Sequence, residues 1–430
     1  AVDITGRVDW PSCVGVQRSD DGSEGVLFVE LPGKQAAVVK APLHVASEMF
    51  GNVLCSNLGI TSPTVRLVAS ASTEGRCLRE SLIKADELRD PAQRKVQAML
   101  AGRPLYLVMQ YVQAKPLADL FGTDGRCWAQ RDFGVEPLND RGRALLRTLG
   151  TFVAFDMIIN NFDRLPCVWD NQGNAGNIMF TRAGAEPISI DNMVCCISPE
   201  YGEATAKYLE RVREVVVDCI RHVDVGVEQL EFSRIRTFLR DGCVDGQGWT
   251  GLGVDIGEEG SLEVQTGFLN LVKLTAHGEV CSEKGEGLTL KWLEQVRDSL
   301  LQQLPPDKPL SEAPPHLYGF GSVHPEFCAA VVDVFRGALQ EAAEATSGRL
   351  GVVAGAPRPR ASVRRRLDSA SGIFWDGDTQ FPLFMTPEMR QTFLETHDAR
   401  RASMRGDASR LLQPRPRADT EALTQQLRRA

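Results

Sequence analysis

A run of short polar segments in the first half of the chain holds side chains that handle phosphate and metal ions. A small-residue loop, Gly22-Ser23-Glu24-Gly25, separates two strand-like runs. Lys40 ends the run Val38-Val39-Lys40, and Glu48 falls in the helix-like stretch that follows. Then come Leu107-Val108-Met109-Gln110-Tyr111-Val112, Asn161-Phe162-Asp163-Arg164, Gly176-Asn177-Ile178-Met179-Phe180 and Ile190-Asp191-Asn192. Taken singly, each has an ordinary reading: a strand-end lysine, a solvated helix charge, a turn pair, a turn asparagine. Their order is the specific feature. Phosphoryl transfer from ATP uses small residues that let backbone N–H groups approach phosphates. It also uses a lysine oriented by a glutamate, one aspartate at the attacking hydroxyl, and an asparagine with a second aspartate on the metal.

Other chemistries lack their signatures. The chain has no Walker A sequence, no GxSxG elbow and no HExxH, and its 6 His residues keep no ligand spacing. The cluster Gly251-Leu252-Gly253-Val254-Asp255-Ile256-Gly257 does not match GxGxxG and reads as a loop.

The elements that must position these residues follow from periodicity. Val14–Gln17 and Val26–Leu31 read as a hairpin around the turn-rich Arg18–Gly25, with Ala36–Lys40 a third strand. His44–Leu58 reads as a helix with Val45, Phe50, Val53, Leu54 and Leu58 on one stripe and Gly59 as its stop. Thr64–Ala69 is a strand, 93–100 helical, and Leu105–Met109 a buried strand. From Arg141 the pattern turns helical, with Leu145, Leu149, Phe152, Val153 and Met157 in phase. Ile178–Phe180 and Ile188–Ile190 suggest a small hairpin. Further helices are expected over 203–222, 230–240, 264–274, 290–304 and 326–344. A strand-rich front and a mainly helical back imply an α+β chain with two lobes.

The length of 430 residues, 43% hydrophobic and 24% charged, is ordinary globular composition. The net charge of -8 argues against nucleic acid as the main partner. Residues 351–430 hold 14 Arg against 9 Asp and Glu, a net of +5, which leaves -13 for residues 1–350. The Pro-Arg alternation at 356–366 marks a linker into this basic tail, with an apolar island at Ile373-Phe374-Trp375 and Phe381–Met385. No apolar run is long enough to span a bilayer, and the N-terminus lacks the basic and apolar regions of a signal peptide. The 11 Cys are scattered without a CxxC pair, so reduced cytoplasmic thiols and no zinc are expected.

The string Phe155-Asp156-Met157-Ile158-Ile159-Asn160-Asn161-Phe162-Asp163-Arg164-Leu165-Pro166 resembles the catalytic domain of the actin-fragmin kinases, an atypical protein-kinase-like fold. Trp169, Gly173–Met179, Ile190-Asp191 and Asp255–Leu262 carry the likeness further, over roughly residues 10–345. The resemblance implies a two-lobed fold, with an N-lobe over 1–112 and a C-lobe over 113–347, while the shift in composition sets off the linker and basic tail over 348–430. It implies that Gly22, Ser23 and Gly25 cover the phosphates of ATP and that Lys40 pairs with Glu48. The Gln110 carbonyl and Val112 N–H would receive adenine, with Met109 behind it and Met179 lining the same site. Asp163 would be the catalytic carboxylate, and Asn177 and Asp191 would bind Mg²⁺ or Mn²⁺. The implied activity is an ATP-dependent Ser/Thr protein kinase, with actin or an actin complex as substrate. Composition, not the resemblance, describes the basic tail: a solvated arm in the plainer reading, and in the sharper one an arm that docks an acidic partner or folds back on the acidic first 350 residues.

Departures from ordinary kinases leave two alternatives. Arg164 follows Asp163 instead of preceding it, Asp191 is followed by Asn-Met, and nothing resembles Ala-Pro-Glu. A pseudokinase scaffold is one alternative, although every polar role is filled. A phosphoinositide-type kinase is the other, but residues 192–206 contain no Lys or Arg to hold inositol phosphates.

Overall fold

The structure, a computed structural model, describes residues 3–19, 25–42, 44–89, 95–120, 138–168, 173–181, 186–197, 202–242, 251, 255–277, 288–302 and 323–350. The turn at 20–24, Trp169 and the tail 351–430 lie outside the described residues.

Strands β1 (Gly15–Ser19), β2 (Val26–Leu31), β3 (Gln35–Lys40), β4 (Val65–Ala69) and β5 (Leu105–Gln110) form one antiparallel sheet in the order β1-β2-β3-β5-β4. Period two is visible in β2, where Leu27, Val29 and Leu31 are buried while Phe28 and Glu30 face out. The interior strand β5, between β3 and β4, is a continuous apolar run because both of its faces are covered. Tyr106 and Val108 join the outer core, with Val16, Val29 and Val39. Leu107 and Met109 point the other way, into a core shared with helix α1 (Val45–Asn57).

That outer core is closed by helix α2 (Thr73–Arg89), which the periodicity reading does not anticipate. Its sequence is rich in charge, and only Cys77, Leu78, Leu82, Ile83 and Ala85 reach the core. An N-terminal signal was present: the Ser72 hydroxyl accepts from the Gly75 N–H at 2.9 Å. Trp10 is fully buried and donates to Glu74 Oε1 at 3.0 Å, and Arg66 donates to both Glu74 oxygens. Helix α3 (Lys95–Leu100) completes this layer.

After the short β6 (Ala114–Pro116) and α4 (Leu117–Leu120), the chain becomes mainly helical. Among the described residues the α-helices that follow are α5 (Asp140–Ile159), α6 (Gly202–Asp224), α7 (Leu230–Asp241), α8 (Gly257–His277), α9 (Leu290–Gln302) and α10 (Pro325–Leu350). β6 pairs with β7 (Ile178–Thr181), and β7 with β8 (Pro187–Ser189), so the small hairpin expected near 178–190 is present. Helix α5 is capped by Asn139, whose side chain accepts from Gly142 N–H at 3.0 Å. It crosses α8 closely through Gly150 and Gly267, where a Cβ on either would overlap the facing backbone carbonyl. Arg143 and Arg147 of α5 bind Glu263 of α8 beside that crossing.

The architecture is α+β and two-lobed, protein-kinase-like, with a strand-rich N-lobe and a mainly helical C-lobe. Helix α1 belongs to both: its Phe50 and Leu54 lie in one apolar cluster with Leu107 of the sheet and Phe152 and Phe155 of α5.

Candidate active site

Lys40 is the last residue of β3 and lies on the same sheet face as Val38, the face toward α1. Only four residues separate it from α1, so Glu48 falls in the first turn of the helix. Lys40 Nζ lies 2.8 Å from Glu48 Oε1 and 2.9 Å from Asp191 Oδ1. Burial opposes the charge on Lys40, but Asp191 and Glu48 outweigh it and raise its pKa above the usual lysine range. The ammonium is therefore permanent at neutral pH.

Asp163 stands just beyond the end of α5. Asn160 ends that helix in the left-handed conformation, with φ of 52°, and its side chain donates to the Cys195 carbonyl at 2.7 Å. Three asparagines then brace the next turn. Asn161 Oδ1 accepts from the Asp163 N–H at 3.0 Å, and its Nδ2 donates to the Asp191 carbonyl at 3.3 Å. Asn177 donates to the Asp163 carbonyl at 2.7 Å and to Oδ2 at 3.2 Å. Asn174 donates to the same Oδ2 at 3.1 Å. The 14-residue separation of Asp163 and Asn177 is thus closed in space, and Asn174 N–H to Arg164 O at 3.0 Å helps close it.

Asp191 adopts φ of 57°, a left-handed conformation that a non-glycine residue holds only when its neighbours over-determine it. Here Lys40 holds its carboxylate, Asn161 its carbonyl, and Arg164 the carbonyl of Ile190 at 3.1 Å. The Asp191 side chain is 48% exposed. Asn177 and Asp191 offer oxygen donors, and Ile190 N–H bonds the Asn177 carbonyl at 3.3 Å, which ties the turn before β7 to the segment after β8. Among the described residues there is no cluster of three or more His, Cys, Asp or Glu fit to hold a metal alone. Two oxygen donors suit Mg²⁺, which is usually bound by one or two carboxylates with the remaining positions taken by phosphate and water.

The residues expected to face a nucleotide are less completely described. Gly22 and Ser23 lie outside the described residues; Gly25 opens β2 with φ of 76° against the Arg18 side chain. Met109 is buried at the end of β5, Gln110 N–H bonds Thr64 O at 2.8 Å, and Val112 follows, half-buried. Met179, half-buried on β7, lies in the second sheet. One residue missing from the sequence reading is Phe28. It pairs with Val38 across β2 and β3, shares that face with Lys40, and meets Tyr111 edge to face at 6.2 Å. Asn161 and Asn174 were also without a role in the sequence reading, although both lie in the segments that carry the family resemblance.

The fold is of the protein-kinase-like class, and it brings Lys40, Glu48, Asp163, Asn177 and Asp191 together. Residues 2–218, half of the chain, match the family described as actin-fragmin kinase, catalytic, and the chain belongs to that family. A protein-kinase-like transferase is the function class this membership supports. A Dictyostelium discoideum protein named "Putative actin-fragmin kinase" is 24% identical over 238 residues, 53% of this chain and 54% of its own length. The dual specificity protein phosphatase PHS1 of Arabidopsis thaliana is 27% identical over 161 residues, 34% of this chain and 16% of its own. The chain therefore spans about half the length of the first relative and less of the second. The crystal structure of the Helicobacter pylori proinflammatory kinase CtkA overlaps 81% of this chain and 100% of its own, at 11% identity and a TM-score of 0.33. That overlap is too loose to decide the fold, which rests on the sheet order and helices above.

Proposed function

We propose that the chain transfers a phosphoryl group from ATP to a Ser or Thr hydroxyl of a protein substrate, with actin or an actin complex as the first candidate. The observation that carries this reading is the Lys40 ammonium bridging Glu48 and Asp191 while three asparagines hold Asp163. The Lys40 ammonium would hold phosphate oxygens, with Glu48 keeping it in place. Asp163, its Oδ2 engaged by Asn174 and Asn177, would orient the substrate hydroxyl and take its proton. Asn177 and Asp191 would hold Mg²⁺ or Mn²⁺, which when bound neutralises charge developing on the phosphates. Met109, Gln110, Val112 and Met179 would line the adenine site, under Gly22, Ser23 and Gly25.

Actin enters from the names of the family and of the Dictyostelium relative. The domain division at 112 and 347, a cytoplasmic location, and an acidic partner for the Arg-rich residues 351–430 belong to the same proposal. The membrane enters no part of it: among the described residues no helix is long and apolar enough to cross one.

A ligand that binds only the folded state stabilises it by about 2.7 kcal/mol at a hundredfold excess over Kd. Melting should therefore rise with Mg-ATP and little with ATP plus EDTA. Labelled phosphate should pass from ATP to actin or to a generic basic protein. A melting shift without any transfer to either would favour a nucleotide-binding scaffold instead.

A further inference from the structure

Helix α1 is buried on almost every side. Each residue from Val45 to Asn52 is buried, as are Leu54 and Cys55, so the helix does not have the single apolar stripe that its sequence suggests. Three of these buried residues, Ser47, Glu48 and Asn52, are polar and need partners. Ser47 Oγ donates to the Val194 carbonyl, and Val194 N–H returns a bond to the Ser47 carbonyl at 3.4 Å. Asn52 Nδ2 donates to the Glu48 carbonyl at 2.8 Å, and its Oδ1 accepts from Asn192 Nδ2 at 3.1 Å. Gly51 allows this approach, because a Cβ there would overlap the Asn192 carbonyl oxygen.

Asn192 faces a second way. Its Oδ1 accepts from Arg164 Nη2 at 2.6 Å and from Ser189 Oγ at 2.5 Å. Arg164 is 0% exposed, and its Nη1 donates to Asp156 Oδ1 at 2.5 Å. The guanidinium also lies 5.7 Å from the centre of the Phe152 ring. Arg164 immediately follows Asp163, and Asn192 immediately follows Asp191. One continuous chain of buried hydrogen bonds therefore runs from α5, through the residue after each functional aspartate, to the helix that carries Glu48.

We propose that Arg164, Asn192 and Asn52 are positioning residues: a buried polar relay that sets Asp163, Asp191 and the Lys40–Glu48 pair in one arrangement. This rests on the function proposed above. The relay acts through backbone placement. Arg164 fixes the carbonyl before Asp191, Arg164 and Asn52 hold the side chain of Asn192 directly after it, and the left-handed conformation between them is held from both sides. Neither asparagine is drawn as touching substrate, ATP or metal.

The test uses the full chain and the variants Asn52→Leu, Asn192→Leu, their double, Arg164→Lys, and Glu74→Gln as a purely structural comparison in the outer layer of the N-lobe. Residues that orient metal ligands from behind typically change metal affinity or activity by about 10- to 100-fold. Each leucine variant should lose kcat in that range and need a correspondingly higher Mg²⁺ concentration for the Mg-ATP melting shift. The double should lose little more than Asn192→Leu alone, because the Asn52–Asn192 bond that ties α1 into the relay is already gone in that variant. Arg164→Lys should fall between, keeping the charge beside Asp156 but not all three acceptors. Glu74→Gln should lower Tm and leave the Mg²⁺ requirement unchanged. Unchanged kcat and Mg²⁺ requirement in the leucine variants, or losses that multiply in the double, would overturn the relay. Absence of phosphoryl transfer in the wild type would instead refute the function. Amide exchange of residues 45–52 then decides: faster exchange in Asn192→Leu supports the relay, and wild-type exchange refutes it.

Discussion

Replacing Lys40 by Met should cost the protein stability as well as nucleotide binding, and the two losses can be separated. Lys40 Nζ is 2.8 Å from Glu48 Oε1, and the Glu48 side chain is only 5% exposed. Removing one member of a buried pair leaves the other charge desolvated without its counter-ion, at a cost of up to about 3–5 kcal/mol. The second pair, to Asp191, has a partner 48% exposed to water. Water takes over much of that interaction, so its loss adds about 0–1 kcal/mol. A total near the cost of the Glu48 pair is expected, read from urea unfolding of the free protein. The double variant Lys40→Met/Glu48→Leu removes the stranded carboxylate and should recover most of the stability, because apolar replacement of both partners is often close to neutral. Neither variant should show a melting shift with Mg-ATP. If Lys40→Met unfolds like the wild type, or the double is as unstable as the single, Glu48 is not a carboxylate desolvated around Lys40.

Asp163→Ala should keep the Mg-ATP melting shift while losing turnover, because Asp163 is assigned to the acceptor hydroxyl; Asp191→Asn should weaken metal-dependent binding as well. Turnover close to wild type in Asp163→Ala would remove that assignment. Burial pushes the Asp156 carboxyl up to about 7, against the pull of Arg164. A carboxyl raised in the folded state stabilises most below its unfolded value and loses that contribution as pH rises toward the folded one. The stability of Asp156→Asn relative to wild type should therefore improve between about pH 4 and about pH 7, by at most about 1.4 kcal/mol per unit. A pH-independent difference would mean that Asp156 does not titrate in that window. Activity should also survive phosphatase treatment, because Lys40, Glu48 and Asp191 are already joined without phosphate. Loss of activity that returns on rephosphorylating Ser198 or Thr205 would contradict this.

What could be read from the residues alone was what local pattern determines. β2 alternates cleanly, the buried run of β5 stands out, and Gly59 follows α1 with φ of 66°, as a helix stop should. Helix α2 escaped because its charged residues outnumber the few that reach the core, so the apolar period is thin. Lys40 and Glu48 are only eight positions apart, so they can meet only where the strand passes almost directly into the helix. The structure brings them together because β3 ends at Lys40 itself and α1 begins at Val45.

The polar residues behind the site were illegible for a different reason. A local reading gives Arg164 the fate of a turn charge, since arginine is rarely fully buried without a partner. Its burial depends on Asp156 in the preceding helix and on Ile190 and Asn192, reached only after the chain has looped out and returned. Asn52 and Asn192 are 140 residues apart and have no pattern in common, yet each satisfies the other in the core. Order along the chain can name the groups that would touch phosphate and metal, because each occupies a characteristic place relative to a strand or turn. It cannot name the groups that hold them still, because any donor that meets any acceptor across the fold will do. An asparagine bond at that point between α1 and the residue after Asp191 has a consequence that apolar contact would not. Sliding the helix away breaks the buried bond from Asn192 Nδ2 to Asn52 Oδ1, so the position of Glu48 and the backbone of Asp191 are coupled by a directional bond with few alternatives.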